Sequence, residues 1–260
     1  LMFGLKIRPQ VSVLHRLLRG SCALGGGLLL LTACQQENEA SCFTSTGSIT
    51  TERRSLPAFR VLTTYDNVRV TLVQDTATYA EVRAGKNLQE DIRLEVKDNI
   101  LTIRNTSRCN WVRRYNTPRE VTLHTPRLTD LFLRGQADIR TTGTFRADTL
   151  YAHLIGSGDY HLNLTSRYLG LDQYELGDIY LSGTTEELHH TIGGNGSMYA
   201  AELTTRDVYL QTNFSSNGNG YFTARQLLAG THAGNGTVFY RGTPSVTDFR
   251  VSGKGKLVRE

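Results

Sequence analysis

Residues 150–164 read Leu-Tyr-Ala-His-Leu-Ile-Gly-Ser-Gly-Asp-Tyr-His-Leu-Asn-Leu. Leu150, Ala152, Leu154, Gly156, Gly158, Tyr160, Leu162 and Leu164 all fall on one parity. Strand side chains alternate between faces, so this phase gathers apolar residues and glycines on one inward face. Ser157 and Asp159 then point outward. The same phase recurs at Leu188, Ile192, Gly194, Gly196, Met198 and Ala200.

Working outward, the Gly-x-Gly-x-apolar unit repeats. Gly135-Gln136-Ala137-Asp138 and Glu175-Leu176-Gly177-Asp178 flank the Gly156 unit. Further units begin at Gly194, Gly218, Gly234 and Gly253, the Gly218 unit being displaced by a few residues. The mean spacing of about 20 residues suits the coils of a solenoid. Glycine there supplies positive φ or close backbone approach. One coil cannot bury its apolar face alone, whereas stacked coils share one core. Seven coils about 4.8 Å apart make a column on the order of 34 Å. Lys254, Lys256 and Arg259 fall on the last coil, where lysine discourages edge-to-edge association. A β-sandwich of short hairpins is the alternative, because regularly spaced strands suit it too.

Before the repeat, Phe59–Thr64, Val68–Val73, Tyr79–Arg83, Ile92–Val96, Ile100–Ile103 and Val121–Leu123 read as antiparallel-compatible strands. Lys97-Asp98-Asn99 gives a hairpin signal between two of them. The expected organisation is all-β: a smaller β region over 51–127, then the glycine-punctuated solenoid over 128–260.

The first 50 residues carry an address. The whole chain has a formal charge of +5. Lys6, Arg8, Arg16 and Arg19 put four of those charges in residues 1–33, which hold no acidic residue. The remainder is close to neutral and offers nucleic acid no large electrostatic footprint. After this basic stretch, Cys22–Leu31 is apolar, too short for a span of about 20 residues but the size of a signal-peptide core. Leu31-Thr32-Ala33-Cys34 then resembles the lipobox of bacterial lipoproteins. The resemblance implies a signal peptide over 1–33 and diacylglycerol on Cys34, an anchor in the cell envelope. An ordinary secretory signal is the plainer reading. Residues 34–50 then form a lipidated terminus and polar tether. Acidic residues there resemble those of Bacteroidetes-type lipoproteins, which implies the outer membrane. Cys42 and Cys109 remain, and an oxidising compartment permits a bridge of roughly 4 kcal/mol between them, or two free thiols.

The repeated glycine pairs follow a strand region opening with Phe59-Arg60-Val61. They close with Tyr240-Arg241-Gly242-Thr243-Pro244 and Val251-Ser252-Gly253-Lys254-Gly255. With Thr125-Pro126-Arg127-Leu128-Thr129-Asp130-Leu131 leading in, this resembles the DUF2807 family, a putative auto-transporter adhesin, head GIN domain, over about residues 56–258. The resemblance implies a right-handed parallel β-helix in the cell envelope, with adhesin-like binding and no catalytic residues to carry over. Glu175-Leu176 and Gln136-Ala137 depart from the family pattern.

Candidate chemistry is sparse. Asp138, Asp159 and Asp178 occupy one position in three successive coils, followed by Ser197, Tyr221, Thr237 and Lys256. Such a row can bind Ca²⁺ or serve a glycan-cleaving enzyme, while its plain reading is a solvated turn residue. Trp111, Arg113 and Arg114 form a cationic-aromatic loop able to contact a glycan or an anionic surface, or simply a loop folded over the core. Tyr151, Tyr160, Tyr168, Tyr174, Tyr180, Tyr199 and Tyr209 offer an exposed binding stripe as one reading, but several, notably Tyr160, sit on the inward phase, so core packing is the expectation. His189 and His190 face opposite sides of a strand, and His153, His161 and His232 are scattered without metal-ligand spacing. No cofactor and no metal is expected. The reading is a non-catalytic envelope lipoprotein that binds a glycan or envelope protein. A polysaccharide-active enzyme using the aspartate row and a purely structural envelope component are its alternatives.

Overall fold

A computed structural model describes residues 45–107 and 117–260. Its strands are β1 (Ile49–Ser55), β2 (Val61–Thr64), β3 (Arg69–Gln74), β4 (Tyr79–Gly85), β5 (Ile92–Lys97), β6 (Ile100–Asn105), β7 (Arg119–Thr125), β8 (Asp130–Leu133) and β9 (Ile139–Thr141). They continue as β10 (Phe145–Leu154), β11 (Tyr160–Gln173), β12 (Ile179–Ile192), β13 (Met198–Thr212), β14 (Gly220–His232), β15 (Thr237–Arg241), β16 (Val246–Val251) and β17 (Lys256–Arg259). The fold is a β-solenoid preceded by a smaller sheet region, as expected, with about six turns rather than seven.

From β10 to β17 every pairing is parallel, each strand resting on the one a coil earlier. The segments around Gly156, Gly194 and Gly234 lie in this one stack, which removes the sandwich alternative. Backbone groups therefore find partners in neighbouring coils, and the inward phase builds one core. Leu62, Leu131, Ala152, Leu171, His190 and Leu210 stand in register along one inner face, all buried. Ile139, Tyr160, Ile179 and Met198 do so along the other. Each buried leucine, isoleucine or methionine among them contributes roughly 1.5–3 kcal/mol.

The smaller region differs from the expected antiparallel arrangement. Only β1–β4, β4–β7 and β5–β6 are antiparallel. Strands β2 and β3 run parallel to β6 and β7 on one side and to β8 and β9 on the other. The earliest coil is thus inserted between two later ones. Alternation of side chains is the same in either direction, so only non-local pairing decides it. The Asp98-Asn99 turn matches its signal: both residues have positive φ, +49° and +67°, as a two-residue hairpin turn of type I′ requires.

Glycines serve close approach rather than positive φ in the repeated turns. A Cβ on Gly177 would collide with the carbonyl oxygen of Gly158, one on Gly196 with that of Gly177, and one on Gly218 with that of Gly196. Gly218 thus stacks on the second glycine of the previous unit. That shifts the expected register of this coil by two residues. Glu175, standing where a first glycine is missing, takes φ +85°.

Candidate functional site

In each coil one residue follows the buried start of a strand and must point outward. After Tyr160, Ile179, Met198, Gly220 and Val238 these are His161, Tyr180, Tyr199, Tyr221 and Phe239. In-register parallel pairing places them one above another. Their rings stack with centroid steps of 4.6, 4.7, 5.3 and 4.9 Å and interplanar angles of 4–9°. Offset stacking of this kind contributes about 0.5–1.5 kcal/mol per pair.

Four of these rings, His161, Tyr180, Tyr199 and Tyr221, line one side of a groove of about 480 Å³, and Phe239 continues the column beyond it. Thr141, Asn163, Ser182 and Glu202 form the opposite, polar wall. A β-bulge lies within this lining. Strand β13 carries an extra residue against β12 between the pairs Tyr180/Tyr199 and Ser182/Glu202, and Ala201 lies in the groove lining. The bulge carbonyl of Ala201 accepts a hydrogen bond from Thr223 Oγ1 at 2.8 Å. Bulges re-aim side chains and recur beside binding sites. Burial, then Asp178, Tyr199 and Asp159, raise the Tyr180 phenol above its usual range, so it remains a protonated donor. The hydroxyls of Tyr199 and Tyr221 have no hydrogen-bond partner among the described residues.

The aspartate row is a hydrogen-bond ladder. Asp138 Oδ1 accepts from the amide of Asp159 at 3.3 Å, Asp159 Oδ1 from Asp178 at 2.8 Å, and Asp178 Oδ1 from Ser197 at 2.7 Å. Ser197 Oγ continues it to the Asn219 amide at 3.1 Å, and Asn219 Oδ1 to Thr237 at 2.8 Å. Asn219, not Tyr221, therefore holds this position, because the coil's turn is longer. Arg140 also reaches Asp138 at 3.3 Å. Among the described residues no group of three or more His, Cys, Asp or Glu is placed to hold a metal ion.

The tyrosines correct the expectation of core packing. Tyr160 alone among the seven is fully buried, its hydroxyl donating to the His153 carbonyl at 3.1 Å. Tyr151, Tyr168 and Tyr209 join His189 in a second outward column on the other broad face. Tyr174 is exposed at a turn. His189 and His190 do face opposite ways. His190 is buried, its Nε2 lies 3.1 Å from Gln173 Oε1, and burial pushes its pKa down to about 3. Gln173 donates its amide hydrogens to the carbonyls of Gly177 and Ser197, so Oε1 is an acceptor and His190 Nε2 carries the proton. Cys34, Cys42, Cys109, Trp111, Arg113 and Arg114 lie outside the described residues.

Sequence reading named Tyr180 and Tyr199 but missed Tyr221 and Phe239 as their companions. The usable signal was an aromatic one residue beyond the buried start of each strand.

Together these features define a parallel β-solenoid protein with an aromatic-walled groove along its outer face. The chain belongs to the DUF2807 family, described as "Putative auto-transporter adhesin, head GIN domain", whose model matches residues 58–244. Among solved structures it is similar to a putative adhesin, BF0245, from Bacteroides fragilis NCTC 9343, at 21% identity over 82% of this chain and 97% of that one, TM-score 0.73. A putative adhesin from Parabacteroides distasonis ATCC 8503 is 20% identical over 82% and 98%, TM-score 0.66. A protein from the same organism described as a putative lipid binding protein is 17% identical over 83% and 98%, TM-score 0.61. At such identities the likeness is one of fold. No curated protein gives a significant match. The adhesin-type family points to an extracellular or envelope setting. No described helix is long and apolar enough to cross a membrane.

Proposed function

We propose that this protein is an envelope lipoprotein, anchored through Cys34 in the outer membrane, that binds a glycan in the groove beside the rings of His161, Tyr180, Tyr199 and Tyr221 without transforming it. The observation that carries this reading is the composition of the groove: aromatic rings and phenol hydroxyls line it together with amide, hydroxyl and carboxylate groups. Glycans present apolar C–H faces and dense hydroxyls, which such walls complement. Among the groove-lining residues Glu202 is the sole carboxylate, whereas glycoside hydrolysis ordinarily uses a pair. The adhesin-type family agrees with a binding role.

Full-length protein in detergent micelles is to be applied to a glycan array, beside Tyr180→Ala and Tyr199→Ala. The expected result is selective retention by wild type and at least tenfold weaker retention by either variant. Equal retention by all three, or release of sugars from a retained polysaccharide, overturns the proposal. Incorporation of labelled palmitate into wild type but not Cys34→Ala tests the anchor.

A further inference from the structure

We infer that the groove takes an unbranched, uncharged glycan lying along the solenoid axis, with one sugar per coil. The inference rests on the glycan reading above and adds the orientation, charge and length of the ligand.

Both walls repeat with the same step. On one, the rings from His161 to Tyr221 advance by 4.6–5.3 Å per coil. On the other, Asn163, Ser182 and Glu202 are register partners in successive coils. The spacing of hydrogen-bonded strands sets both repeats. A ligand meets both walls equivalently at every step only if its own repeat matches that spacing and runs in that direction. An extended, unbranched glycan advances per sugar by nearly the same distance. A terminal sugar or a branch point would engage one or two coils and leave the remaining repeat unused.

Hydrogen-bonding groups are free to serve it. Asn163 Oδ1 is shielded from solvent and has no partner, so its carboxamide is not held by the protein and can turn towards a ligand hydroxyl. The phenols of Tyr199 and Tyr221 are likewise uncommitted among the described residues. Charge argues for a neutral chain. Asp159 and Asp178 sit two residues before His161 and Tyr180, on the same outward phase, and Glu202 stands on the opposite wall. The nearest cation in the ring column's own register, Arg140, is paired to Asp138 at 3.3 Å. A polyuronate would meet Glu202 in the lining, with Asp178 behind the rings, 3.4 Å from the Tyr180 hydroxyl, adding to the repulsion.

The test is calorimetric titration of the full chain with size-graded β-1,4-linked glucose, mannose and N-acetylglucosamine oligomers, with oligogalacturonate as the charged arm. Affinity for at least one neutral series is expected to climb with each added sugar to about four, one per ring lining the groove, then level off. Tyr221→Ala, with an unchanged melting temperature, should shorten the length at which affinity levels. His161→Ala at the opposite end should do the same. Equal affinity for a disaccharide and a hexasaccharide, a preference for oligogalacturonate, or binding confined to branched ligands on the array each overturns the inference and leaves the glycan reading standing. Absence of binding to every glycan on the array and in solution removes both.

Discussion

The carboxylate of Asp159 accepts a hydrogen bond from the backbone amide of Asp178, one coil along, at 2.8 Å. The side chain thus supplies an acceptor where the turn leaves a backbone donor outside the strand ladder. An amide oxygen can do the same, as Asn219 does for Thr237. Asp159→Asn should leave stability within about 0.5 kcal/mol of wild type, and Asp159→Ala should cost about 1–2 kcal/mol, by urea unfolding. Equal loss in both variants would mean that the negative charge, not the acceptor, matters.

The glycine stack predicts a sharp contrast between two alanine substitutions. A methyl group on Gly196 meets the carbonyl of Gly177, while one on Gly143 meets nothing within 4 Å and strains only a φ of +71°. Gly196→Ala should cost about 3 kcal/mol. Gly143→Ala should cost about 1 kcal/mol. Thermal melts of the two variants give the comparison, and similar losses would contradict the stacking account.

Glu175 is strained where neighbouring coils use glycine. Its φ of +85° is costly for a residue with a side chain. Glu175→Gly relieves that strain but adds chain entropy to the unfolded state. The net expectation is a gain of about 0.5 kcal/mol, read as a slightly higher melting temperature. A lower one would refute it.

Acid should destabilise the fold through His190. Its folded pKa is about 3, below the ordinary 6.5, because burial disfavours the cation. Between these values the unfolded chain binds a proton that the folded chain refuses. The stability that His190 allows is therefore complete above pH 6.5 and is lost as pH falls towards 3, by about 1.4 kcal/mol per pH unit. His190→Leu loses the contact to Gln173, about 1 kcal/mol at pH 7.5. Its urea midpoint should nevertheless fall less steeply with acid. Parallel pH profiles for the two proteins would disprove the assignment.

The repeat was legible because stacking imposes period and phase on each coil separately. Leu150, Ala152, Leu154, Leu162 and Leu164 could be assigned inward from alternation alone, and all are buried. The parity rule also places Tyr180 and Tyr199 outward, yet the inward phase of others, notably Tyr160, suggested a core role for the set. What makes them a column is alignment between coils, and alignment depends on turn lengths that vary from coil to coil. The longer turn before Gly218 moved Tyr221 out of the aspartate row and into the ring column.

By itself the sequence determined an all-β chain of glycine-punctuated coils, their inward faces and the family to which they belong. Tertiary structure alone decided that β2 and β3 lie between later coils, that the aspartates hold amides, and that four stacked rings line a groove that includes the bulge residue Ala201. The reason is locality. Face alternation is set within one strand, whereas register, insertion order and the width between two walls arise only when strands far apart in the chain choose each other as partners.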